Sequence, residues 1–293
     1  MSRSTHHNKP ISVSCDECAG LLQKLRTDSP LVQCLTNYVS MDIMANTLLA
    51  IGASPAMAHA EEEVEEFIGL ASALLINIGT LSVPWIRSMH KVAAKARELG
   101  KPWVLDPVGV GATSLRTKTA TELALSYKPI VIRGNPSEIM ALAKSVCKRL
   151  DVQSSDGAQK GVDSSQSSDH ALGSAKALAL ECHCVVVVTG KDDFVTDGSR
   201  VITVSNGHPV LTKITAAGCA LTAVMAAFVC LGDSTDVDHV MKSCACALSV
   251  FGIAAELAVK DPAVKGPGSA RMHMLDAYSS ISSETLSQMA KFS

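Results

Sequence analysis

The sequence predicts an α/β domain with a mainly parallel central sheet, an antiparallel hairpin at one edge and helices on both faces. From residue 32 to Gly190, short apolar runs alternate with amphipathic segments of helical length. That alternation is typical of parallel strands joined by helices. Asp197-Gly198 then separates two strand-like runs, which indicates a tight hairpin turn. Aromatic residues make up only 3% of the chain, so smaller apolar side chains must fill the closely packed core.

The individual elements follow from local signals. Gly100 closes one helix, and the acidic run that starts at Glu61 suits the positive end of another. Gly232-Asp233 interrupts a long apolar helical region, and a last helix is expected after Gly268. Strands are expected at 32–35, 55–58, 74–78, 103–105, 130–132, 185–189, 194–196 and 200–204, and helices at 42–50, from Glu61, at 83–99, at 113–126, from Asn135-Pro136 and at 217–259.

The composition excludes several classes of protein. Hydrophobic residues make up 47% of the chain and charged residues 18%, which indicates a folded globular protein. The net charge of −2 offers no basic field, so we expect no nucleic-acid partner. No run of about 18 uninterrupted apolar residues is present, so we expect no membrane contact. The polar residues 1–10 lack the apolar part of a secretion signal, which predicts a cytoplasmic protein.

One domain is expected at 29–293, after an N-terminal segment at 1–28. The Ser-rich stretch 153–169 is expected to be a surface loop, either a flexible connector or a lid over substrate.

Ten cysteines without a secretion signal predict reduced thiols. Cys15 and Cys18 have redox or metal-ligand spacing, but no second pair stands at zinc-site distance. Cys182 and Cys184 lead into a strand, where alternate side chains face opposite ways, so we interpret them as small buried side chains.

Residues 215–220, with the sequence Thr-Ala-Ala-Gly-Cys-Ala, are the strongest functional signal. They open an apolar helical segment, and the first amides of a helix lack intrahelical partners while the helix dipole is positive there. Small side chains leave these amides uncovered, so the segment is expected to bind an anion such as phosphate. The Cys219 thiol stands among the donors.

Polar residues recur where predicted strands end, and ligands of parallel sheets bind beyond these ends. Asp106 is either a Mg²⁺ contact or a turn aspartate before Pro107. Glu138 is either a metal contact or the partner of Asn135 in a capping box, and both roles are compatible. Arg133 could bind phosphate oxygens or form a surface ion pair.

Two common nucleotide-binding motifs are missing. Gly109 and Gly111 begin the dinucleotide pattern, but Ser114 stands where its third glycine belongs, so NAD is not expected. The chain also has no Gly-x-x-x-x-Gly-Lys-Ser/Thr segment, so ATP would not be bound by a P-loop.

Taken in order and spacing, these motifs resemble the hydroxyethylthiazole kinase family of the ribokinase-like superfamily, from about Ser29 to Leu275. The motifs are Cys34-Leu35-Thr36-Asn37, Gly52-Ala53-Ser54-Pro55-Ala56-Met57, Asn77-Ile78-Gly79-Thr80, Leu105-Asp106-Pro107-Val108-Gly109, Ile132-Arg133-Gly134-Asn135, Glu138, Val188-Thr189-Gly190, Ala216-Ala217-Gly218-Cys219 and Lys265-Gly266-Pro267-Gly268-Ser269. The resemblance implies a ribokinase-like fold and ATP-dependent phosphorylation of the hydroxyethyl group of 4-methyl-5-(2-hydroxyethyl)thiazole in thiamine salvage. It also implies Mg²⁺ and a homotrimer whose active sites are shared between subunits.

The resemblance also assigns roles to individual residues. Cys219 would be the catalytic base, at the position where most ribokinase-like enzymes have aspartate, and it would hold or accept the proton of the alcohol. The implied sites are substrate binding by Asn37, Met57 and Ala216, ATP binding by Arg133 and Thr189, an anion hole at Ala216, Ala217 and Gly218, and metal binding by Asp106 and Glu138. One position departs from the family pattern, because Ala216 stands where the family often has glycine.

The residues leave the protonation state of Cys219 open. A helix N-terminus lowers a thiol pKa, whereas bound ATP raises it.

The residues are also compatible with three other functions. They are phosphorylation of another small alcohol such as hydroxymethylpyrimidine, hydrolysis with Cys219 as nucleophile, and nucleotide binding without catalysis. Cys219, and Met57 in its Ser-Pro-Ala-Met context, favour the thiazole over the pyrimidine.

Overall fold

The computed structural model describes residues 10–149 and 164–293. Its strands are β1 (Leu31–Leu35), β2 (Ser54–Ala56), β3 (Ala73–Asn77), β4 (Trp103–Asp106), β5 (Val131–Gly134), β6 (Val185–Val188), β7 (Asp193–Thr196) and β8 (Val201–Val204). Its α-helices are α1 (Cys15–Asp28), α2 (Met41–Ile51), α3 (Val64–Leu70), α4 (Val83–Glu98), α5 (Ser114–Tyr127), α6 (Pro136–Arg149), α7 (Ser164–Cys182), α8 (Ala217–Val229), α9 (Val237–Lys260), α10 (Pro267–Ser280) and α11 (Ser283–Met289). A short 3-10 helix, Pro209–Lys213, precedes α8.

The eight strands form one sheet in the order β2-β1-β3-β4-β5-β6-β7-β8. The first six are parallel, and β7 and β8 add antiparallel pairings at one edge. The predicted mixed sheet with its edge hairpin is therefore confirmed. Because β1 to β6 are parallel, the loops that follow their carboxyl ends lie along a single edge, which is the usual ligand edge of such a sheet.

Two buried layers cover the sheet, as the alternation of apolar side chains in the strands requires. Val185 and Val187 of β6 face one layer, and Val186 and Val188 face the other. The helices α1, α2, α8, α9 and α10 pack in the first layer, and α3 to α7 pack in the second. The helix α9 is long and apolar enough to cross a membrane, but 83% of its most apolar window is buried inside the fold.

Three expectations from the sequence need correction. Residues 164–169 begin α7 instead of extending the Ser-rich loop, while 153–163 lie outside the described residues. The helix after Gly268 is not the last one, because α11 follows α10 after two residues. Sequence analysis also missed α1, although Ser14 and Glu17 form a capping box at its start.

Candidate active site

Polar side chains from five separate strand ends meet at the carboxyl edge of the sheet. Asn37 follows β1, Asn77 ends β3 and Asp106 ends β4. Arg133 lies in β5, and Thr189 directly follows β6. Hydrogen bonds link these residues in two groups, one around Asp106 and one around Arg133.

Asp106 is fully buried and only half satisfied. Its Oδ2 accepts hydrogen bonds from Asn77 Nδ2 at 2.7 Å and from Thr222 Oγ1 at 2.9 Å. Its Oδ1 is buried without a protein partner. Burial raises the pKa of Asp106 to about 6, although the positive charge of Arg133 opposes the rise. A buried carboxylate oxygen without a partner is costly, so Oδ1 is suited to a ligand that the protein does not itself provide.

Asn77 connects this carboxylate to the predicted substrate residue Asn37. The Oδ1 of Asn77 accepts from Asn37 Nδ2 at 2.8 Å and from the Gly79 amide at 2.9 Å. Asn37 Nδ2 also lies 3.7 Å from the Cys219 sulfur. A Cβ on Gly79 would lie 2.7 Å from the Cβ of Asn37, so glycine is needed there for the two loops to approach. The network thus runs from Asp106 to the thiol through two buried amides.

The segment 215–220 forms the predicted helix start, with one adjustment. The amide of Ala217 donates to Ile214 O at 3.2 Å, so the amides of Gly218 and Cys219 are better placed to bind an anion. Ala216 has a φ of 61°, in the left-handed region where glycine is the usual residue. Its methyl group therefore carries a backbone strain of about 1 kcal/mol.

Arg133 lies against the same helix start. A Cβ on Gly218 would be only 2.7 Å from Arg133 Nη1, so the absence of a side chain lets the guanidinium approach the helix terminus. Arg133 Nη2 donates to Thr189 Oγ1 at 2.5 Å, and its Nε is buried without a partner. The structure thus joins the two predicted ATP contacts to the predicted anion hole. A guanidinium beside free helix amides is well suited to phosphate oxygens.

The environment of Cys219 favours the protonated thiol. Burial and the charge of Asp106 raise the pKa of the Cys219 thiol to about 11, and hydrogen bonds from Asn77 and Asn37 oppose this rise only in part. At neutral pH roughly one molecule in ten thousand therefore carries the thiolate. In the free protein, Cys219 is a protonated thiol and a poor nucleophile.

Alkylation of Cys219 should therefore accelerate with pH. Because only the thiolate reacts, we expect the rate with iodoacetamide to rise about tenfold per pH unit from about pH 7 to about pH 10. Peptide mass spectrometry gives the rate at this residue, and the variant Cys219→Ser identifies the peptide. A rate that levels off near pH 9 would show that the thiol pKa is not raised.

Glu138 has the capping role, and both of its oxygens are engaged. Oε2 accepts from the Asn135 amide and Oε1 from the Gly109 amide, each at 2.9 Å. Asn135 Oδ1 in turn accepts from the Glu138 amide at 2.9 Å, which completes the box. No cluster of three or more metal-ligating side chains occurs in residues 10–149 and 164–293. The charge of Glu138 is one cause of the raised pKa of Asp106, so the two carboxylates lie near each other, and Asp106 Oδ1 is the oxygen left without a protein partner.

A cavity of about 730 Å³ opens beside Arg133 and Thr189. Gly218 lines it, and Leu221 and Phe251 contribute apolar side chains to its lining. Its volume and mixed lining are those of a site for a drug-sized ligand. Neither Asn37 nor Met57 lines it. Met57 follows β2, the strand next to β1, and packs on the core layer that Cys219 also contacts.

From the sequence, Asn77 was recognised only as part of the Asn77-Ile78-Gly79-Thr80 motif, and Thr222 and Arg116 were given no role. Thr222 follows one turn after Gly218 in α8, and its hydroxyl links Gly218 O to Asp106. Arg116 donates to the carbonyls of Ile78, Gly79 and Val108, and so holds two strand-end loops together. The hydrogen-bond partners of these three residues are distant in sequence. The one signal that could have suggested a role is the position of Asn77 at the end of a predicted strand.

Comparisons with known proteins identify the family. The sequence profile of the hydroxyethylthiazole kinase family matches residues 22–284. The chain belongs to the hydroxyethylthiazole kinase family. It is 50% identical to a hydroxyethylthiazole kinase of Zea mays over 273 residues. This alignment covers 93% of the present chain and 91% of the Zea mays protein. It is 46% identical to a hydroxyethylthiazole kinase of Rhizobium johnstonii, in an alignment that covers 93% of this chain and 96% of that protein.

Solved structures agree with this assignment. The hydroxyethylthiazole kinase of Pyrococcus horikoshii superposes with a TM-score of 0.82 at 40% identity, and covers 95% of this chain and 98% of that one. A ribokinase-like superfamily protein of Enterococcus faecalis has a TM-score of 0.59 at 12% identity, with 96% and 100% covered, and shows a shared fold. As a hydroxyethylthiazole kinase family member, the chain is an enzyme that phosphorylates a small molecule, which implies ATP and usually a divalent metal.

Proposed function

We propose that this site transfers the γ-phosphoryl group of ATP to the hydroxyethyl oxygen of 4-methyl-5-(2-hydroxyethyl)thiazole, in thiamine salvage. One observation carries the proposal. Arg133 and the N-terminus of α8 line one end of a cavity large enough for a nucleotide, next to the network that joins Asp106, Asn37 and Cys219. The groups that could bind the phosphates of ATP therefore lie next to the residues that could bind the alcohol.

The chain's own groups act by placement and by charge. The amides of Gly218 and Cys219 and the guanidinium of Arg133 would hold the transferring phosphoryl group, whose equatorial oxygens carry the developing charge. Asn37 would orient the alcohol. Because the transition state is loose, it places little demand on a base. The protonated thiol of Cys219 would hold the alcohol by a hydrogen bond, and its thiolate form would accept the proton that leaves the alcohol as the phosphoryl group is transferred.

We propose Mg²⁺ as the metal, with Asp106 Oδ1 and Glu138 as the residues that would hold it. Such an ion offsets negative charge on the phosphates when it is bound. Asp106 remains ionised for this purpose above about pH 6, its pKa in the buried site.

The decisive assay supplies Mg-ATP with either hydroxyethylthiazole or hydroxymethylpyrimidine and detects the phosphorylated product by mass. We expect the thiazole phosphate. A product from the pyrimidine alone would reassign the substrate, and ADP formation with neither alcohol would contradict a kinase acting on these compounds. A cysteine hydrolase would need a base beside Cys219, whereas the side chains that hydrogen-bond its sulfur are the amides of Asn37 and Asn77.

Replacing the thiol with a carboxylate tests its role. We expect Cys219→Asp to keep or raise turnover, since a carboxylate is ionised at neutral pH where the thiol is not. Steady-state kinetics on the folded variant measure this, with Cys219→Ala as the control that lacks any base. An inactive Cys219→Asp that still folds and binds ATP would show that the position is not an interchangeable base.

We propose further that the protein is a homotrimer with shared active sites. Asn37 and Met57 lie outside the cavity of the single chain, which leaves the thiazole side open to a neighbouring subunit. Next to Asn37, Tyr38 and Val39 expose 66% and 59% of their surface. Such exposed apolar residues beside a site are typical of interfaces.

A charge at this surface should separate the subunits. We expect Tyr38→Glu to lower the sedimentation coefficient from that of a trimer and to raise the KM for the thiazole about tenfold or more, because a carboxylate is costly to bury. Binding of the ATP analogue AMP-PCP should stay unchanged. A wild-type protein that sediments as a fully active monomer would contradict the trimer.

The protein is also proposed to be cytoplasmic. All ten cysteines fall within the described residues and are unpaired, as expected in a reducing compartment.

A further inference from the structure

The last residues of the described chain form a short addition to the edge of the sheet. Thr203 in β8 and Ser293 exchange two main-chain hydrogen bonds, of 2.7 and 3.0 Å, and Val204 pairs antiparallel with Phe292. This terminal segment, residues 289–293, begins beyond the family match, which ends at residue 284. None of its residues lines the cavity.

The terminal segment nevertheless holds one wall of the cavity. Ser205, Asn206 and Gly207 leave β8 and line that wall. The Ser205 amide donates to Lys291 O at 3.1 Å, and the Lys291 amide donates to Asn206 Oδ1 at 3.0 Å. Asn206 Nδ2 donates to Met289 O at 2.8 Å.

Asn206 is the centre of this arrangement and is only 5% exposed. Its Oδ1 also accepts from Ser249 Oγ at 2.9 Å, and its Nδ2 lies 3.2 Å from Glu256 Oε1, which accepts from the Gly207 amide at 2.9 Å. A Cβ on Gly252 would lie 2.6 Å from the Asn206 carbonyl carbon, so α9 packs directly on the wall. A fully satisfied buried amide of this kind holds its surroundings in one arrangement.

A further bond joins this wall to the loop that precedes β7. Ser205 Oγ donates to Asp192 Oδ1 at 2.6 Å, and Asp193 next to it accepts from the Gly190 amide at 2.8 Å. Gly190 follows Thr189, which bonds Arg133. The terminal segment is therefore connected through main-chain and side-chain bonds to the loop that carries Thr189 and Gly190, which also line the cavity.

We propose that Asn206 is a positioning residue, and that the main chain of Met289 to Lys291 holds it so that the cavity wall is preorganised for the nucleotide. The proposal rests on the proposed function in one respect, that ATP occupies this cavity. Preorganisation of a wall lowers the cost of ordering it on binding, so its loss should weaken nucleotide binding and leave the alcohol site unchanged.

A matched pair at position 291 tests this. Lys291→Pro removes the amide that donates to Asn206 Oδ1, and Ala290, with φ −68° and ψ 135°, already has a conformation that proline tolerates after it. Lys291→Ala keeps both bonds of the Lys291 main chain and loses a side chain that is 55% exposed, together with its ion pair to Glu256 at 3.3 Å. Lys291→Pro loses the same ion pair, so the two variants differ in the amide donor. Asn206→Ala removes the whole amide.

We expect Lys291→Pro to raise the KM for ATP about tenfold, which is the equivalent of one lost hydrogen bond to a buried group. Asn206→Ala should raise it at least as much, while kcat and the KM for hydroxyethylthiazole stay within about twofold. Lys291→Ala should match the wild type. Calorimetry with AMP-PCP should show the same loss of affinity.

Two results would overturn the proposal: an unchanged KM for ATP in Lys291→Pro, or a parallel rise of both KM values, which would indicate general loosening. If Asn206→Ala does not fold, Lys291→Pro decides. Failure of the wild type to phosphorylate hydroxyethylthiazole would reject the proposed function, while AMP-PCP calorimetry on the same variants would still test the positioning role.

Discussion

Replacing Asp106 with asparagine should reduce kcat about a hundredfold or more and should make the protein more stable. The amide keeps the shape of the side chain and can still accept the bonds that Asn77 and Thr222 donate to Oδ2. It removes the buried negative charge and puts an amide nitrogen in place of the unpartnered oxygen that we assign to the metal and phosphates. Loss of a preorganised charge at a reacting centre has an effect of this size. Steady-state kinetics and chemical denaturation measure the two effects.

The sign of the stability change follows from the pKa of Asp106. Burial raises it from 3.8 to about 6, so the folded state binds the proton more tightly than the unfolded state does. The contribution of Asp106 to stability is therefore greatest below about pH 4 and declines as the pH rises through 6. At pH 7 the buried charge costs up to about 3 kcal/mol, which Asp106→Asn should recover in part.

An exposed aspartate supplies the control. Asp276 is exposed on α10, so Asp276→Asn should change neither turnover nor stability by a measurable amount. If Asp106→Asn kept wild-type turnover, Asp106 would be a structural residue only. If it destabilised the protein at pH 7, the cost assigned to the buried charge would be wrong.

Asn77→Leu is the substitution for which we expect the largest loss of stability. Leucine is similar in size, but it removes the bonds to Asn37, Gly79 and Asp106, of 2.8, 2.9 and 2.7 Å. Three buried polar groups lose a partner at once, and each unsatisfied group costs about 1–3 kcal/mol. We expect the free energy of unfolding to fall by about 3–5 kcal/mol, with the KM for the thiazole raised because Asn37 is no longer held. Urea denaturation gives the first value, and kinetics below the unfolding temperature give the second.

A second variant separates the loss of shape from the change of charge. Asn77→Asp still accepts from Asn37 and Gly79, but it sets a carboxylate against Asp106. Two adjacent carboxylates raise the pKa of the pair, so the acid limb of the rate profile should move to higher pH. An unchanged profile would show that ionisation of Asp106 does not control the rate.

The order and type of most elements could be predicted from local signals. The alternation of apolar runs and helical segments predicted a parallel sheet, and Asp197-Gly198 predicted the edge hairpin, because these signals depend only on near neighbours in sequence. The start of α7 was missed because residues 164–169, four of which are Ser, have the composition of a loop.

The sequence by itself determined the family, the strand-end positions of Asp106, Arg133 and Thr189, and the helix start at 215–220. Only the tertiary structure decided what these groups do to one another. Residues that are 29 or more positions apart produce each of the decisive features. These features are the raised pKa of Cys219, the unpartnered Oδ1 of Asp106 and the hydrogen bonds by which Asn77 connects Asp106 to Asn37. Burial and charge at a site depend on which strand ends the fold brings together, and local sequence patterns do not contain that information.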